Sequence, residues 1–396
     1  MRTCLWLACA VALTVAVPVQ AQPAASAAQP AASTATEEAI RGNPARWPAA
    51  KAHAWYKKQP WVLGANYTNA SSINQLDMFQ AETWNPAEID KELGWAKKFG
   101  MNAMRVYLHD LLYKQDAEGF KRRFGELLTI AHKHGIRIIP VLFDSCWDPE
   151  PRLGPQHRPI PGVHNSGWVQ SPGRTDLLDP ANDAFFRRYV EDVVATFAKD
   201  DRILLWDVWN EPENWGGGNY QSAQLEQELV RIEQLLPRVF AWARAQKPTQ
   251  PLSSGVWIGR DWSPGVKDSS AITRIQLAES DVITFHNYEW PEAFEARIAQ
   301  LRPYGRPLIC TEWLARSAGS IVDSVLPIAH REDVGMINWG FVQGEIQTHL
   351  PWDSWDRPYV TKPPVVWFHD LLHPDGKPYR EREAEIFRTL SAKKTH

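Results

Sequence analysis

The most informative stretch of the sequence is "ILLWDVWNEP" (203–212). Its aliphatic, β-branched and aromatic residues have the composition of a strand that is buried on both faces. The stretch then ends in Asn210 and Glu211, and Pro212 prevents the strand from continuing. An ionisable carboxylate at the end of an apolar strand is costly unless it has a partner or a chemical task. We therefore take this strand end as a candidate functional position.

Short apolar runs of the same kind recur along the chain, and most are separated by segments with helical periodicity. The predicted strands are "WVLGANY" (61–67), "AMRVYL" (103–108), "IRIIPVLF" (136–143), "ILLWDVW" (203–209), "PLSSGVW" (251–257), "DVITFHNY" (281–288), "PLICTEW" (307–313) and "GMINWGFV" (335–342). The predicted helices include 85–100, 179–200, 222–246, a segment near 268–277, and 364–372 as the last helix of the ring.

This alternation predicts a parallel sheet, because strands that are apolar on both faces must be covered by helices. Strand–helix units in this number favour closure into an α/β fold of the (β/α)8 TIM barrel type. A doubly wound sheet is the alternative. It would place a glycine-rich phosphate turn after the first strand, and "GANYTNAS" (64–71) is not such a turn.

The amino-terminal region predicts export. Residues 1–21 have a positive start, an apolar stretch and small residues before Ala21, as in a signal peptide. A retained membrane anchor is the alternative, but the apolar stretch is too short to span a bilayer. We expect an Ala/Pro-rich linker over 22–50 and the catalytic barrel over 51–396. The protein is then secreted or periplasmic, with no membrane association after cleavage.

Composition excludes some partners. The formal net charge is −3, whereas nucleic-acid binding needs a basic face to neutralise phosphates. Removing the signal peptide leaves Cys146 and Cys310, which we expect to be free, buried thiols rather than a disulfide scaffold. The 20 tryptophans are more than a core needs and suggest flat apolar platforms for a ligand.

In a (β/α)8 barrel, the residues at the carboxyl ends of the strands share one mouth. The polar and aromatic residues predicted there are Asn66, Arg105, Tyr107, His109, Asp144, Trp147, Asn210, Glu211, His286, Tyr288, Glu312 and Trp339. Glu211 and Glu312 would face each other across this mouth. A pair of carboxylates, one protonated and one ionised, is the equipment for glycoside hydrolysis. An alternative interpretation is that the Asp144 carboxylate only caps the following loop.

The neighbours of the two glutamates suggest their roles. Arg105 would keep Glu312 ionised, and Tyr288 would donate a hydrogen bond to it. Glu211, farther from Arg105 and close to tryptophans, would have its pKa raised by burial and act as the acid. Asn210 would bind the 2-hydroxyl of the sugar, a contact that strengthens in the transition state.

These residues also form motifs. "MRVY" (104–107), "WNEP" (209–212), "HNY" (286–288) and "TEW" (311–313) occur in an order and at strand ends that resemble glycoside hydrolase family 5, the cellulase and mannanase family of retaining (β/α)8 enzymes. The resemblance implies that Glu211 is the acid/base and Glu312 the nucleophile. It further implies that Asn210, Arg105, His286 and Tyr288 support them, and that Trp339 is the platform under the sugar.

Two features depart from the common family pattern. Cys146 stands about where many members have a histidine, and a long proline-rich loop follows at 149–173. Trp168 in that loop, and the loop 344–356, could shape the substrate site, since long loops on a rigid scaffold tend to be functional. The identity of the sugar and endo or exo cleavage therefore stay open.

We expect a monomer that acts on a carbohydrate and needs no cofactor or metal. A non-catalytic carbohydrate-binding barrel is one alternative, although the presence of both glutamates weighs against it. A transglycosylase is another, because it uses the same covalent intermediate and differs only in excluding water. The sequence does not separate a transglycosylase from a hydrolase.

Overall fold

The structure is a computed structural model that describes residues 34–214, 220 and 226–393. The predicted signal peptide and residues 22–33 of the predicted linker lie outside the described residues. No helix in the described part of the chain combines the length and the apolar composition that crossing a bilayer requires.

The core of the fold is an 8-stranded sheet in which every paired strand is parallel to its neighbour. The strands are β1 (Leu63–Asn66), β2 (Ala103–Tyr107), β3 (Arg137–Val141), β4 (Trp206–Asp207), β5 (Leu252–Ser253), β6 (Ile283–His286), β7 (Leu308–Glu312) and β8 (Gly335–Asn338). Their order is β5-β4-β3-β2-β1-β8-β7-β6. A parallel bridge between Val256 and Phe285 joins the two ends of the sheet. The predicted (β/α)8 barrel is therefore confirmed.

Helices separate the strands and cover the outside of the barrel. They are α1 (Thr34–Arg41), α2 (Ala49–Tyr56), α3 (Gln75–Phe79), α4 (Pro86–Lys98), α5 (Asp110–Lys133), α6 (Arg174–Leu178), α7 (Asp183–Phe197), α8 (Glu226–Ala245), α9 (Ala271–Glu279), α10 (Pro291–Leu301), α11 (Val322–Arg331) and α12 (Glu381–Ser391). The start of α4 shows why the sequence signals were reliable. Asn85 accepts a hydrogen bond from the Glu88 amide, and Pro86 occupies the first turn.

Part of the segment predicted as a linker is folded. Helices α1 and α2 both lie within 22–50 or overlap its end, and the prediction of a linker up to residue 50 is wrong over 34–50. The Arg46 guanidinium is buried and donates a hydrogen bond to the Leu277 carbonyl at the end of α9. Ala52 and Tyr56 of α2 pack with the strands at the amino-terminal end of the barrel. The Ala/Pro composition concealed these few anchoring side chains.

The prediction of a helix over 364–372 is also wrong. The chain there is irregular, with several bends, and Leu372 forms a parallel bridge with Val342. Phe368, His369 and the residues that follow to Leu372 are buried one after another, a pattern that no single helix face produces. The last helix of the ring is instead α12. The segment between β8 and α12, residues 339–380, crosses the mouth of the barrel, and we call it the strap.

Candidate active site

The two glutamates lie close together at the mouth. Glu312 is the last residue of β7, and Glu211 follows β4. Both are nearly buried, with 7% of Glu211 and 5% of Glu312 exposed. A carboxylate oxygen of each and a ring nitrogen of His286 all lie within 4.8 Å of one another. The fold thus brings together two acidic side chains that are distant in the sequence.

Arg105 on β2 is fully buried and organises the floor of the site. Its Nε and Nη2 donate to Asp207 Oδ2 at 3.0 and 2.8 Å, and its Nη1 donates to Glu312 Oε1 at 2.9 Å. It also donates to the side-chain oxygens of Asn66 at 2.8 Å and Asn210 at 2.6 Å. A buried guanidinium needs such partners, since an unpaired buried charge is strongly destabilising. Arg105 therefore fixes Glu312 in position and places a positive charge beside it.

Two tyrosines complete the surroundings of Glu312. Tyr107 donates from its hydroxyl to Glu312 Oε1 at 2.9 Å, and Tyr288 donates to Oε2 at 2.7 Å. Burial is the main cause that raises the pKa of both tyrosines well above its usual value, and the nearby Glu312 charge adds to it. Both hydroxyls therefore stay protonated and act as donors. They hold the carboxylate with its two oxygens in fixed directions.

Glu211 has different neighbours. Its Oε1 lies 2.7 Å from His286 Nδ1, and its Oε2 accepts a hydrogen bond from Asn214 Nδ2 at 2.7 Å. The Cys146 thiol donates to the same Oε2 over 3.4 Å. The backbone of Glu211 has a φ of 42°, a conformation that costs non-glycine residues about 1–3 kcal/mol and occurs often at functional sites. Here Pro212 follows directly, so the chain holds the carboxylate in place against a local preference.

The sequence led us to expect a raised pKa for Glu211, and this direction is wrong. Burial does raise the pKa of Glu211, but the hydrogen bond and the charge of His286 outweigh burial, and the pKa is lowered from its usual value. The strand positions alone did not reveal that His286 would lie nearer to Glu211 than to Glu312, at 2.7 Å against 3.6 Å. Glu211 and His286 therefore form a hydrogen-bonded pair.

Asp144 hydrogen-bonds two further residues that were predicted at the site, Asn210 and Trp168. Its Oδ1 accepts from Asn210 Nδ2 at 2.9 Å, and its Oδ2 accepts from Trp168 Nε1 at 2.6 Å. Burial raises the pKa of Asp144 to about 7 against these hydrogen bonds. Asp144 is 1% exposed, so it supports Asn210 and Trp168. The amide of Asn210 is occupied by Arg105 and Asp144, and its contact with a sugar hydroxyl stays a prediction.

Aromatic rings line the space beside Glu312. Trp339, at the start of the strap, is half-buried, and its ring lies 6.0 Å from those of Tyr107 and Trp168. The Tyr107 and Trp168 rings meet edge to face at 5.0 Å. Asn66 closes the floor by donating to the Thr311 and Asn338 carbonyls. These rings border a pocket at the mouth of the barrel.

Glu211, His286 and Glu312 are also spaced as metal ligands could be. Their carboxylate oxygens already accept hydrogen bonds, however, and the Arg105 charge lies 2.9 Å from Glu312. A positive charge at that distance opposes the binding of a cation. The donors around these carboxylates fit proton transfer and nucleophilic attack better than metal binding.

The sequence did not assign a role to Asp207, Tyr107, Cys146 or Asn214. Asp207 had a visible signal, because it is an ionisable residue in the middle of an apolar strand, and a buried Arg105 required a counter-charge. Cys146 accepts a hydrogen bond from Asn210 Nδ2 at 3.3 Å, which places it at the site. Burial raises the pKa of Cys146 well above its usual value, so the thiol stays protonated. Both Cys146 and Cys310 are free and buried, as predicted.

Comparison with known proteins supports the fold. No model of a known protein family matches the chain, and no curated protein matches it significantly. Solved structures do resemble it. An exo-β-1,4-mannosidase from Opitutaceae bacterium strain TAV5 aligns with a TM-score of 0.55 and 18% identity over 83% of this chain. The chain spans 59% of that enzyme's length.

Two further structures show the same likeness. A β-glucosidase, 1317, aligns with a TM-score of 0.54 and 14% identity over 84% of this chain and 98% of its own. The endo-β-1,4-mannanase from Thermotoga petrophila aligns with a TM-score of 0.51 and 13% identity over 85% of this chain and 77% of its own. At these identities the likeness establishes a shared (β/α)8 fold, with the site of this chain at the mouth where that fold carries its chemistry.

Proposed function

We propose that this protein is a retaining glycoside hydrolase that cleaves β-glycosidic bonds of an oligosaccharide or polysaccharide. One observation carries the proposal: carboxylate oxygens of Glu211 and Glu312 lie within 4.8 Å of each other. Retaining enzymes have carboxyl groups about 5–5.5 Å apart, whereas inverting enzymes need about 6.5–9.5 Å to admit a water molecule. The structural neighbours are described as a mannosidase, a mannanase and a β-glucosidase, which agrees with this class.

In the first step, Glu312 attacks the anomeric carbon and forms a covalent glycosyl–enzyme ester. Arg105, Tyr107 and Tyr288 hold its carboxylate aligned for the attack. The bond between the anomeric carbon and the glycosidic oxygen breaks as the ester forms. The leaving oxygen takes up a proton and departs as an alcohol.

That proton comes from the Glu211–His286 pair. The 2.7 Å contact lets one proton move between His286 Nδ1 and Glu211 Oε1, so the pair can supply an acid although the pKa of Glu211 is lowered. In the second step Glu211 accepts a proton from water, the water oxygen attacks the anomeric carbon, and the ester to Glu312 breaks. Two inversions at the same carbon give net retention.

Export is a further part of this proposal. The features of residues 1–21 support a signal peptide, and a polysaccharide substrate would be met outside the cytoplasm. We also propose that the protein works as a monomer, without a cofactor or metal.

The first test is a panel of 4-nitrophenyl β-glycosides of mannose, glucose, xylose and galactose, with the full chain. We expect hydrolysis of at least one of them, and we expect Glu312→Gln to lower kcat by about 10³-fold or more, because the nucleophile is lost. Glu213→Gln is the matched control, since this buried glutamate contacts Ser270 and Thr273 rather than the site.

Other results would favour the alternatives. Sugar binding in calorimetry without hydrolysis of any substrate would favour a binding barrel. Products longer than the input oligosaccharide, found by mass spectrometry, would favour a transglycosylase. Wild-type activity in Glu312→Gln would refute the assignment of the nucleophile.

A further inference from the structure

The loops on one side of the mouth are joined to one another. The strap, residues 339–380, hydrogen-bonds the loop after β1 through Glu345 N and the Ala70 carbonyl at 2.9 Å. It bonds the loop after β3 through the Asn165 amide and the Ile346 carbonyl, also at 2.9 Å. At Gly344 the strap backbone comes so near Ala70 that a Cβ there would lie 2.2 Å from the Ala70 oxygen. The three loops therefore form one continuous wall.

The Gln347 side chain connects two parts of this wall, and we call it the clamp. Its Nε2 donates to the carbonyls of Ile160 and Val163 at 2.9 and 3.1 Å, and its Oε1 accepts from the Gly162 amide at 3.0 Å. Its backbone has a φ of 58°, which is uncommon for a residue other than glycine. The Gln347 side chain thus ties the strap to the backbone of the loop after β3, together with the Tyr359 amide, which donates to the Gly162 carbonyl at 2.9 Å.

Aromatic contacts extend the wall around the mouth. Trp355 of the strap stacks on Trp147 with ring centroids 5.0 Å apart and an interplanar angle of 11°. Trp352 of the strap meets the ring of Tyr288 edge to face at 5.2 Å. Tyr288 is the residue that donates to Glu312, so the strap reaches from the loop after β1 to the nucleophile's own neighbour.

A pocket lies against this wall. Its border consists of Asn66 and Tyr107 on the floor, Trp168 and Trp339 at the sides, and Ile346 of the strap. Because Ile346 belongs to the wall, a sugar ring bound beside Trp339 would meet the strap on that side.

The side-chain amide of Asn165 is buried where the strap meets the loop after β3. Asn165 is 1% exposed, and neither its side-chain oxygen nor its side-chain nitrogen has a hydrogen-bond partner among the described residues. A buried polar group in this state calls for an explanation. Its backbone partner Ile346 borders the pocket. A hydroxyl of a terminal sugar would satisfy the amide.

We propose that the strap closes the glycone side of the site after a single sugar, so that the enzyme removes terminal sugars from the non-reducing end. This rests on the proposed glycosidase function. The glycone is the sugar whose anomeric carbon Glu312 attacks, so its ring lies on Glu312's side of the scissile oxygen. Tyr107 touches Glu312 and packs against Trp168 and Trp339, which places the closed pocket on that side. A chain that continued past this sugar would meet the wall.

The test uses β-1,4-linked hexasaccharides of the sugar whose aryl glycoside is hydrolysed fastest, incubated with the full chain. One hexasaccharide carries a fluorophore at the reducing end and is unmodified at the non-reducing end. A second also carries a 4,6-O-benzylidene group on the non-reducing terminal sugar, or a 4-O-benzyl group if that sugar is xylose, which has no C6. We expect the label to appear first in the pentasaccharide, and we expect the blocked hexasaccharide to be cleaved at least about 100-fold more slowly, a difference of about 2.7 kcal/mol.

The other outcomes overturn the inference. Label in short fragments at early times, or equal cleavage of the blocked substrate, would mean internal cleavage and leave the glycosidase function standing. Cleavage that is insensitive to the benzylidene group but slowed when the reducing-end sugar is bulky would place the wall on the leaving-group side. Failure of every aryl β-glycoside in the panel would instead count against the proposed function itself.

A pair of variants tests the clamp. Gln347→Ala removes the side-chain hydrogen bonds from the strap to 160–163 and leaves the one from the Tyr359 amide to the Gly162 carbonyl. We expect the relative rate on the blocked hexasaccharide to rise at least about tenfold. Lys362→Ala changes an exposed residue of the same strap and should leave that ratio unchanged. Equal ratios in the two variants would show that the clamp does not close the pocket.

Discussion

At the scale of single residues, the two glutamates are distinguished by what surrounds them. Glu312 accepts hydrogen bonds from a guanidinium and two phenols, which fix the directions of its two oxygens. Glu211 shares a short contact with a histidine, which can both give and take a proton. This difference assigns attack to Glu312 and proton transfer to Glu211 in our proposal, although both side chains are nearly equally buried.

The role of Glu211 as the acid predicts a dependence on the leaving group. In Glu211→Ala, we expect kcat/KM for a disaccharide or another unactivated substrate to fall by about 10²–10⁴-fold, the usual contribution of a general acid. For a 2,4-dinitrophenyl glycoside, whose leaving group needs no proton, we expect kcat/KM to stay within about tenfold of wild type. Steady-state kinetics with both substrates measures these two kcat/KM values.

Glu213→Gln serves as the control, because it removes a buried carboxylate only two positions away that contacts the start of α9. It should affect both substrates equally. If Glu211→Ala also lowers kcat/KM by the same factor for both substrates, Glu211 is not the acid.

The sequence could predict which residues lie at the mouth, but not every pairing among them. Strand periodicity places Glu211, His286 and Glu312 at neighbouring strand ends, yet it does not say toward which glutamate the imidazole turns. The register between β6 and β7 shifts between Phe285 and His286. This shift occurs at the position that matters for the pKa of Glu211, and nothing in the local sequence indicates it.

At the scale of elements, strands and amphipathic helices could be predicted because each has its own period and its own caps. The prediction of a helix over 364–372 failed because it attributed the apolar residues of this segment to one buried helix face. In the structure the buried residues of this segment, 367–372, belong to an irregular part of the strap, where Leu372 pairs with Val342 of the same strap. Contacts between distant loops, such as those of Gln347, leave no periodic signal.

Helix α4 supports the wall from outside through a buried carboxylate. Glu92 accepts a hydrogen bond from the Tyr67 hydroxyl at 2.9 Å and from the Ala70 amide at 3.2 Å, in the loop that the strap contacts. Burial raises the pKa of Glu92 from 4.5 to about 7. The folded state therefore favours the protonated form of this group.

This shift predicts how stability depends on pH. Because the folded-state pKa is above the unfolded one, the contribution of Glu92 is complete below pH 4.5 and is lost as pH rises through about 7. Glu92→Gln keeps a neutral side chain of the same shape. We expect its free energy of unfolding in urea to fall less than that of wild type between pH 4.5 and 8, by about 3 kcal/mol.

Glu82→Gln, at an exposed position of the same region, is the control and should leave the wild-type pH profile unchanged. Identical pH profiles for Glu92→Gln and wild type would contradict the shift. A steeper fall in Glu92→Gln would contradict its sign.

At the scale of the whole molecule, the barrel and the loops contribute different things. Solved structures with 18% identity or less share the fold, so the barrel tolerates almost complete replacement of its sequence. It supplies a rigid rim on which Arg105, Glu211 and Glu312 are held. The strap then adds a wall on one side of that rim, and in our proposal this wall determines which part of a sugar chain can enter.

The central claim is that Glu211 and Glu312 perform a double displacement at one sugar carbon. Proton NMR tests it directly, by following the hydrolysis of the best aryl β-glycoside and recording the anomeric signals before the product mutarotates. The account predicts that the β-anomer of the free sugar appears first and the α-anomer only later. Appearance of the α-anomer first would mean a single displacement and would contradict the account.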